Sequence, residues 1–172
     1  MPGTHGDLAP ILADELITWL RQLGTQGQFV QRAFTGVSQG AKQAVVILTG
    51  LGLDHLRRRA FLIWLCREEG FVAYAYASHV TVADNKSTLT EGVDISASSE
   101  HFDVEVSLRI TRSADGKYFF DEESRVVSKV GSKEPSIFSS LHRSKSEISN
   151  QDQKMFRQIW DEVKPKVMWR QR

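Results

Sequence analysis

The first part of the chain carries hydrophobic residues at intervals of three and four. Seven of them between residues 8 and 23 fall on one stripe of an amphipathic helix, and the other sides are largely polar. Asp7 is placed to cap the start of this helix, and Gly24 is placed to end it. The pattern therefore predicts a helix over residues 8–23 that buries one face.

Two shorter apolar segments follow. Around residues 29–34 the spacing favours a short helix that is closed by Gly36. Residues 41–51 carry one charged side chain, Lys42, in an otherwise largely apolar segment, and this composition fits a buried helix and a buried strand equally well. We assign this second segment to a helix.

The most complete set of helix signals lies between Asp54 and Gly70. Asp54 supplies an N-cap, and Gly70 follows Glu69 at the other end. The first half of this helix is basic, and its second half is apolar on every side. Because a helix that is apolar all round must be surrounded by core, we predict that the second half is buried on all sides.

After Gly70 the hydrophobic period changes from that of a helix to that of a strand. Residues 71–82 alternate between large apolar side chains on one side and mostly small ones, including three alanines, on the other. This predicts a strand covered on both faces, with a helix packed closely over the alanines. Residues 84–87 predict a turn, and a weaker strand follows over residues 93–97.

A β-hairpin is predicted over residues 102–130. Apolar and polar residues alternate along residues 102–111, Ala114-Asp115-Gly116 supplies the reversal, and residues 117–130 return as the partner strand. We therefore predict an antiparallel sheet of four strands over residues 71–130, with one apolar face and one partly polar face.

The rest of the chain completes the predicted fold. Residues 131–149 are rich in serine and lysine and predict a flexible connector, and residues 150–164 predict a C-terminal helix that ends at Pro165. The fold class is α+β, a single domain in which helices from residues 7–70 pack on one face of the four-stranded sheet. A cone-shaped fold of helix and curved sheet, with a cavity at His79, is the alternative.

Composition and charge narrow the functional classes. The chain has 172 residues, enough for one domain, and its formal net charge of +1 argues against a strongly basic nucleic-acid binder. The single cysteine, Cys66, excludes an intramolecular disulfide and a multi-cysteine zinc site. The longest apolar run has seven residues, against roughly 20 for a membrane span, so we expect a soluble, cytoplasmic protein without a membrane partner or a cofactor.

His101, Asp103 and Glu105 form the first candidate site. Side chains two positions apart on a strand project from the same face, roughly 6.6 Å apart, so a His-x-Asp pair can bind one metal ion. A second histidine, His79 or His142, would complete a site of two histidines and one carboxylate. The same alternation also describes the solvent face of any antiparallel sheet, and we assign no metal from it.

His79-Val80-Thr81-Val82 is the second candidate. A His-apolar-Thr-apolar strand is the unit used by two-histidine phosphoesterases, in which the histidine transfers a proton and the hydroxyl binds phosphate. That mechanism needs two such units, and the other candidate, His142-Arg143-Ser144, has an arginine at the apolar position. A buried histidine that is hydrogen-bonded to backbone explains the same residues.

Arg57, Arg58 and Arg59 are the third candidate, for nucleic-acid binding. The predicted order of helix, short turn, basic helix and strand is similar to a winged helix, whose second helix enters the major groove. The apolar second half of the helix and the formal charge of −4 on residues 71–130 argue against this function. Three arginines in one turn also fit a solvated helix start that faces carboxylates elsewhere in the fold.

The last candidate is the segment Val167-Met168-Trp169-Arg170. Residues 131–172 carry a formal charge of +4, and an aromatic between cations has no evident core to join after a helix-ending proline. Because tryptophan and arginine are enriched at interface hot spots, Trp169 and Arg170 predict a docking arm, and a tail packed on its own domain is the alternative. With no complete catalytic set, we expect a non-enzymatic interaction module that binds a protein partner.

Overall fold

The structure, a computed structural model, describes residues 8–48, 50–83, 89–99, 102–130 and 148–172. The helices are α1 (Leu8–Thr25), α2 (His55–Glu69) and α3 (Asn150–Val163), with a turn of 3-10 helix at Lys164–Lys166. The strands are β1 (Arg32–Ser38), β2 (Lys42–Ile47), β3 (Phe71–Ala83), β4 (Leu89–Ser99), β5 (Asp103–Arg112), β6 (Tyr118–Val130) and β7 (Met168–Gln171). The α+β class and the antiparallel sheet are confirmed.

Several predicted features lie outside the described residues: the cap Asp7, the turn at 84–87, His101, His142 and residues 131–147 of the predicted connector. Within the described ranges, no helix is long and apolar enough to cross a bilayer.

In the described part of the chain the sheet has seven strands, in the order β6-β5-β4-β3-β1-β2-β7, whereas the sequence pattern predicts only the four from β3 to β6. The pattern is wrong for β1 and β2, which it assigns to helices. Every position of both strands except the first and the last is buried, so the burial of their side chains does not alternate. A short strand that is covered on both faces cannot be told from a buried helix by its period.

One face of the sheet is covered by α1. The helix packs on small residues of the two central strands β3 and β4: Ala73, Ala75, Ala77 and Ala97. The prediction of a helix over the alanines of residues 71–82 is therefore confirmed, because side chains of this size let a helix axis approach the sheet closely.

Gly24 does not end α1 as predicted, since the helix continues to Thr25. Its function is to allow a close approach between the helix and β6. A Cβ atom at this position would lie 2.9 Å from the carbonyl oxygen of Tyr118, a distance that side-chain rotation cannot relieve because the contact is with backbone.

The opposite face is covered by α2 and α3. Six aromatic side chains form the centre of this second core: Phe34, Phe61, Trp64, Phe71, Phe156 and Trp160. The prediction that the N-terminal helices all pack on one face is wrong, because α1 and α2 lie on opposite faces. The second half of α2 is also not buried on all sides: Leu65 is buried, whereas Ile63 is only half-buried.

Both ends of α2 form as predicted. The carboxylate of Asp54 accepts a hydrogen bond of 2.8 Å from the backbone N–H of Arg57. At the other end Gly70 has a φ of 67°, which favours glycine, and β3 begins at the next residue. These local signals fix where the helix changes into the strand that carries His79.

The C-terminal segment is part of the sheet. β7 pairs with β2, and Trp169 packs against the core of α2 and α3 with the amine of Lys42 4.3 Å from its ring centre. Arg172 forms an ion pair with Glu15 of α1, with 2.7 Å between Nη1 and Oε1. The prediction of a tail without a core to join is wrong, and the alternative of a tail packed on its own domain is confirmed.

Candidate functional site

His79, Glu91 and Arg112 form a hydrogen-bonded line across β3, β4 and β5. The register places them on the sheet face that carries α1. The Nε2 atom of His79 lies 3.1 Å from Oε1 of Glu91. Arg112 donates two hydrogen bonds of 2.5 Å to the same carboxylate, one from Nε to Oε2 and one from Nη2 to Oε1.

Aromatic rings surround this line. The ring centres of Phe29 and His79 are 4.7 Å apart in an edge-to-face arrangement. The guanidinium of Arg112 lies 5.1 Å from the ring centre of Phe29 and 4.8 Å from that of Tyr118. The rings of Phe29, His79 and Tyr118, together with neighbouring apolar side chains, line an open cleft of about 330 Å³ beside Arg112. We call it the His79 cleft, and its main lining residues are Leu20, Phe29, Val30, His79, Ile110, Tyr118 and Phe120.

Arg112 determines the charge of Glu91. Its hydrogen bonds hold the pKa of the Glu91 carboxyl below the usual value; burial opposes this effect, and the hydrogen bond with His79 adds to it. Glu91 is therefore an ionised carboxylate that orients the ring of His79. It is also a poor general base, because the neighbouring guanidinium lowers its affinity for a proton.

The two-unit phosphoesterase arrangement does not assemble within the described residues. Thr81 is exposed, lies two positions after His79, and pairs in register with Glu91. The second unit would have to come from His142, which lies outside the described ranges. In the described part of the chain, His79 therefore faces Glu91 and aromatic rings rather than a second histidine.

Asp103 and Glu105 lie on the opposite face of the sheet from His79. The residue between them packs in the core beneath α1, so their own side chains point away from it. Asp103 is buried and accepts a hydrogen bond of 2.6 Å from the hydroxyl of Ser98, whereas Glu105 is exposed. No group of three or more His, Cys, Asp or Glu side chains in the described ranges could hold a metal ion.

Arg57, Arg58 and Arg59 occupy the first turns of α2. Arg57 and Arg59 are exposed, and Arg58 is half-buried with a hydrogen bond of 3.2 Å from Nη1 to the carbonyl oxygen of Leu53. The predicted winged-helix order does not form, because the strand β2, and not a helix, precedes α2.

Trp169 and Arg170 point to opposite faces of β7. Trp169 packs against the core of α2 and α3. Arg170 lines a smaller cleft of about 200 Å³ on the α1 side, together with Trp19 and Gln43. Trp169 and Arg170 thus lie on the edge strand β7, at the opposite end of the sheet from β5 and β6, which line the His79 cleft.

No family model matches this chain, and no curated protein or solved structure shows detectable similarity to it. We therefore infer its function from the geometry and chemistry of these sites.

Sequence reasoning found His79 but missed the side chains around it. Arg112 and Tyr118 pair directly across the predicted hairpin. Their contact could therefore have been predicted from the position of the turn, which sets the register of the two strands. Glu91 could be paired with β3 only once the register of β3 and β4 was known. Phe29 lies between α1 and β1, in a segment that the pattern assigns to a helix.

Glu91→Gln is expected to lower the free energy of unfolding by about 1 kcal/mol near neutral pH, because it removes the charged partner of Arg112. The folded protein holds the pKa of Glu91 below the ordinary 4.5. The stabilisation is therefore complete when the pH is above the ordinary pKa of Glu91. It is lost as the pH falls through the lowered pKa of the folded protein. Urea denaturation near neutral pH and at about pH 3 should show that the difference between wild type and variant shrinks in acid.

Glu105→Gln is the matched control for this prediction. Glu105 is exposed on the other face of the sheet and forms no ion pair within the described ranges. The control should change the free energy of unfolding by less than about 0.5 kcal/mol. A Glu91→Gln effect that is equally large at both pH values would contradict the assigned charge state.

Proposed function

We propose that this protein is a non-enzymatic interaction module that binds a protein partner, and that the His79 cleft accepts a large apolar side chain of that partner. The observation that carries the proposal is the 38% exposure of Phe29 beside Arg112 at the mouth of an apolar cleft. An exposed aromatic next to an arginine and a tyrosine is typical of interface hot spots.

The polar groups of the cleft favour binding over catalysis. His79 and Arg112 both bond to Glu91, so the carboxylate oxygens are already in use. With Nε2 of His79 held by Glu91, the ring could act as a general base only through Nδ1, and within the described residues no hydroxyl or thiol is hydrogen-bonded to that ring. The same network suits a binding surface, since it fixes Arg112 against the rings of Phe29 and Tyr118.

The size of the cleft favours a side chain of a partner protein over a free small molecule. Small-molecule pockets typically have roughly 300–1,000 Å³ and enclose most of their ligand. The His79 cleft has about 330 Å³ only when its open side is included. A side chain presented by a partner needs less enclosure, because the surrounding interface excludes water from it.

Selection from a random peptide display library, with the full chain as bait, tests this proposal. We expect the enriched peptides to share a large apolar residue. Phe29→Ala should weaken their binding by about 30-fold, which corresponds to the roughly 2 kcal/mol of a typical hot spot. Fluorescence polarisation with labelled peptides measures the affinity of wild type and variant.

Phe119→Ala is the matched control. Phe119 is 44% exposed and lies next to Tyr118 on β6, but on the other face of the sheet, where it pairs with Thr111. It should change the affinity less than about twofold. Equal losses in both variants, or a selection that enriches no peptide with a large apolar residue, would show that the His79 cleft is not the binding site.

A further inference from the structure

Arg112 lies at the mouth of the His79 cleft and is the more exposed member of its ion pair. Its side chain is 45% exposed, whereas that of Glu91 is 26% exposed. The guanidinium lies 5.1 Å from the ring centre of Phe29 and 4.8 Å from that of Tyr118, and both rings line the cleft. A partner that approaches the cleft therefore meets the positive member of this pair before the negative one.

The guanidinium of Arg112 has donors left for a second acceptor. An arginine side chain carries five N–H groups. Glu91 accepts hydrogen bonds from Nε and Nη2, which form one bidentate edge of the guanidinium, and the hydroxyl of Tyr118 accepts one of 3.3 Å from Nη1. Nη1 and Nη2 therefore each keep one N–H group that has no acceptor among the described residues.

The contacts that Arg112 already makes also fix its orientation. The bidentate bond to Glu91 sets the plane of the guanidinium, and the rings of Phe29 and Tyr118 restrict its movement. A long side chain usually loses conformational entropy when it binds a ligand. Because Arg112 is ordered in advance, the hydrogen bonds from its remaining N–H groups contribute more of their strength to binding.

On the basis of the function proposed for the His79 cleft, we propose that Arg112 binds an aspartate or glutamate side chain of the same partner. This carboxylate lies within two positions of the apolar side chain that enters the cleft. Neighbouring positions of an extended peptide are roughly 4–7 Å apart at the backbone, which matches the 5.1 Å between the guanidinium and the ring of Phe29. One short peptide segment can therefore fill the cleft and reach Arg112 together.

A side-chain carboxylate fits these donors better than two other anionic groups. A free carboxy terminus is typically held by a nest of backbone N–H groups, whereas the donors here belong to one side chain. A phosphate group carries up to two negative charges, and Glu91 already places one negative charge on the same guanidinium. A carboxylate adds only one further charge, so its repulsion from Glu91 is smaller.

A set of synthetic peptides and the full chain test this proposal. Each peptide carries one tryptophan in a sequence of glycine and serine, with aspartate, asparagine or lysine at one of the two positions before or after it. We expect the best aspartate peptide to bind about 5- to 10-fold more tightly than its asparagine counterpart, because it gains charge-assisted hydrogen bonds. Fluorescence polarisation at constant ionic strength measures both affinities.

Arg112→Gln should reduce the ratio of the aspartate to the asparagine affinity to less than about twofold. Since the ratio compares two peptides on the same variant, it does not depend on how much the substitution changes the binding of tryptophan. Arg112→Lys keeps the charge beside Glu91 without the planar fork, so it should retain a ratio of about two- to threefold. This second variant provides the test if Arg112→Gln does not fold.

Arg109→Gln is the matched control. Arg109 is exposed on the same strand, β5, but lies three positions before Arg112 and therefore on the other face of the sheet. The substitution removes the same charge and should leave the ratio within about twofold of the wild-type value. Equal losses in Arg109→Gln and Arg112→Gln would overturn the proposal in favour of general electrostatic attraction.

Two further results separate the carboxylate site from the function proposed for the His79 cleft. If tryptophan peptides bind but aspartate improves the affinity less than twofold over asparagine at every position, the carboxylate site is wrong and the apolar cleft remains supported. If none of the tryptophan peptides binds, the function proposed for the cleft and the carboxylate site are both contradicted.

Discussion

Phe156→Ala is expected to lower the free energy of unfolding by about 3–5 kcal/mol. Phe156 has 0% exposure, and its ring centre lies 5.5 Å from that of Phe61 and 6.2 Å from that of Trp64. Its removal leaves a cavity between α2 and α3 that rigid aromatic neighbours fill only in part. Since small proteins have unfolding free energies of about 5–15 kcal/mol, the loss is a large share of the total.

Urea denaturation followed by tryptophan fluorescence measures this loss, because Trp64 and Trp160 belong to the same core. Gln158→Ala, on the exposed side of α3, is the control and should cost less than about 0.5 kcal/mol. If Phe156→Ala cost no more than Gln158→Ala, α3 would not contribute to the core, and the second core would reduce to α2 on the sheet.

Gly36→Ala is expected to lower the free energy of unfolding by about 2–3 kcal/mol although it adds a single methyl group. A Cβ atom at position 36 would lie 2.7 Å from Cδ2 of Phe71 and 3.0 Å from Cε1 of Phe34. Both rings are buried and closely packed, so neither can move away without a shift of β1. Gly36→Val should cost still more, because it adds two further carbon atoms at the same contact.

Gly40→Ala is the matched control in the same hairpin. The atom nearest to a Cβ at position 40 is the hydroxyl oxygen of Ser38, at 4.0 Å, so the methyl group meets no obstacle. We expect a change of less than about 0.5 kcal/mol, measured by thermal and urea denaturation of both variants. If Gly36→Ala were tolerated as well as Gly40→Ala, Phe71 would not pack against β1, and the arrangement of the α2 side of the sheet would be wrong.

The helices and strands that could be predicted from the sequence are those marked by capping or turn residues at their own ends. Asp54 and Gly70 bound α2 because a cap acts on backbone groups within one helical turn. Gly116, with a φ of 83°, marks the turn between β5 and β6 for a similar reason. Such signals depend only on local backbone geometry and remain readable without knowledge of the rest of the fold.

The elements that could not be predicted depend on distant partners. β1 and β2 lie in the middle and near one edge of the sheet, and their burial by two helix layers removes the alternation that identifies a strand. β7 has only four residues and becomes a strand because β2, more than 120 positions earlier in the chain, offers an unpaired edge. No pattern within so short a segment specifies that pairing.

The His79 cleft shows the same division. The sequence identified His79 and the alternation of β3, because these follow from residue type and period. Phe29 could not be recognised as a site residue, since it reaches His79 only when β1 pairs with β3.

The sequence alone determined the positions of the helices α1, α2 and α3, both ends of α2, the strands β3 to β6, and which residues along those strands share a face. Only the tertiary structure decided that α1 and α2 cover opposite faces, that three further strands extend the sheet, and that Glu91 and Arg112 meet His79. The physical reason is range: capping, turn formation and hydrophobic period act over a few residues, whereas strand order and register are set by pairing between segments far apart in the chain.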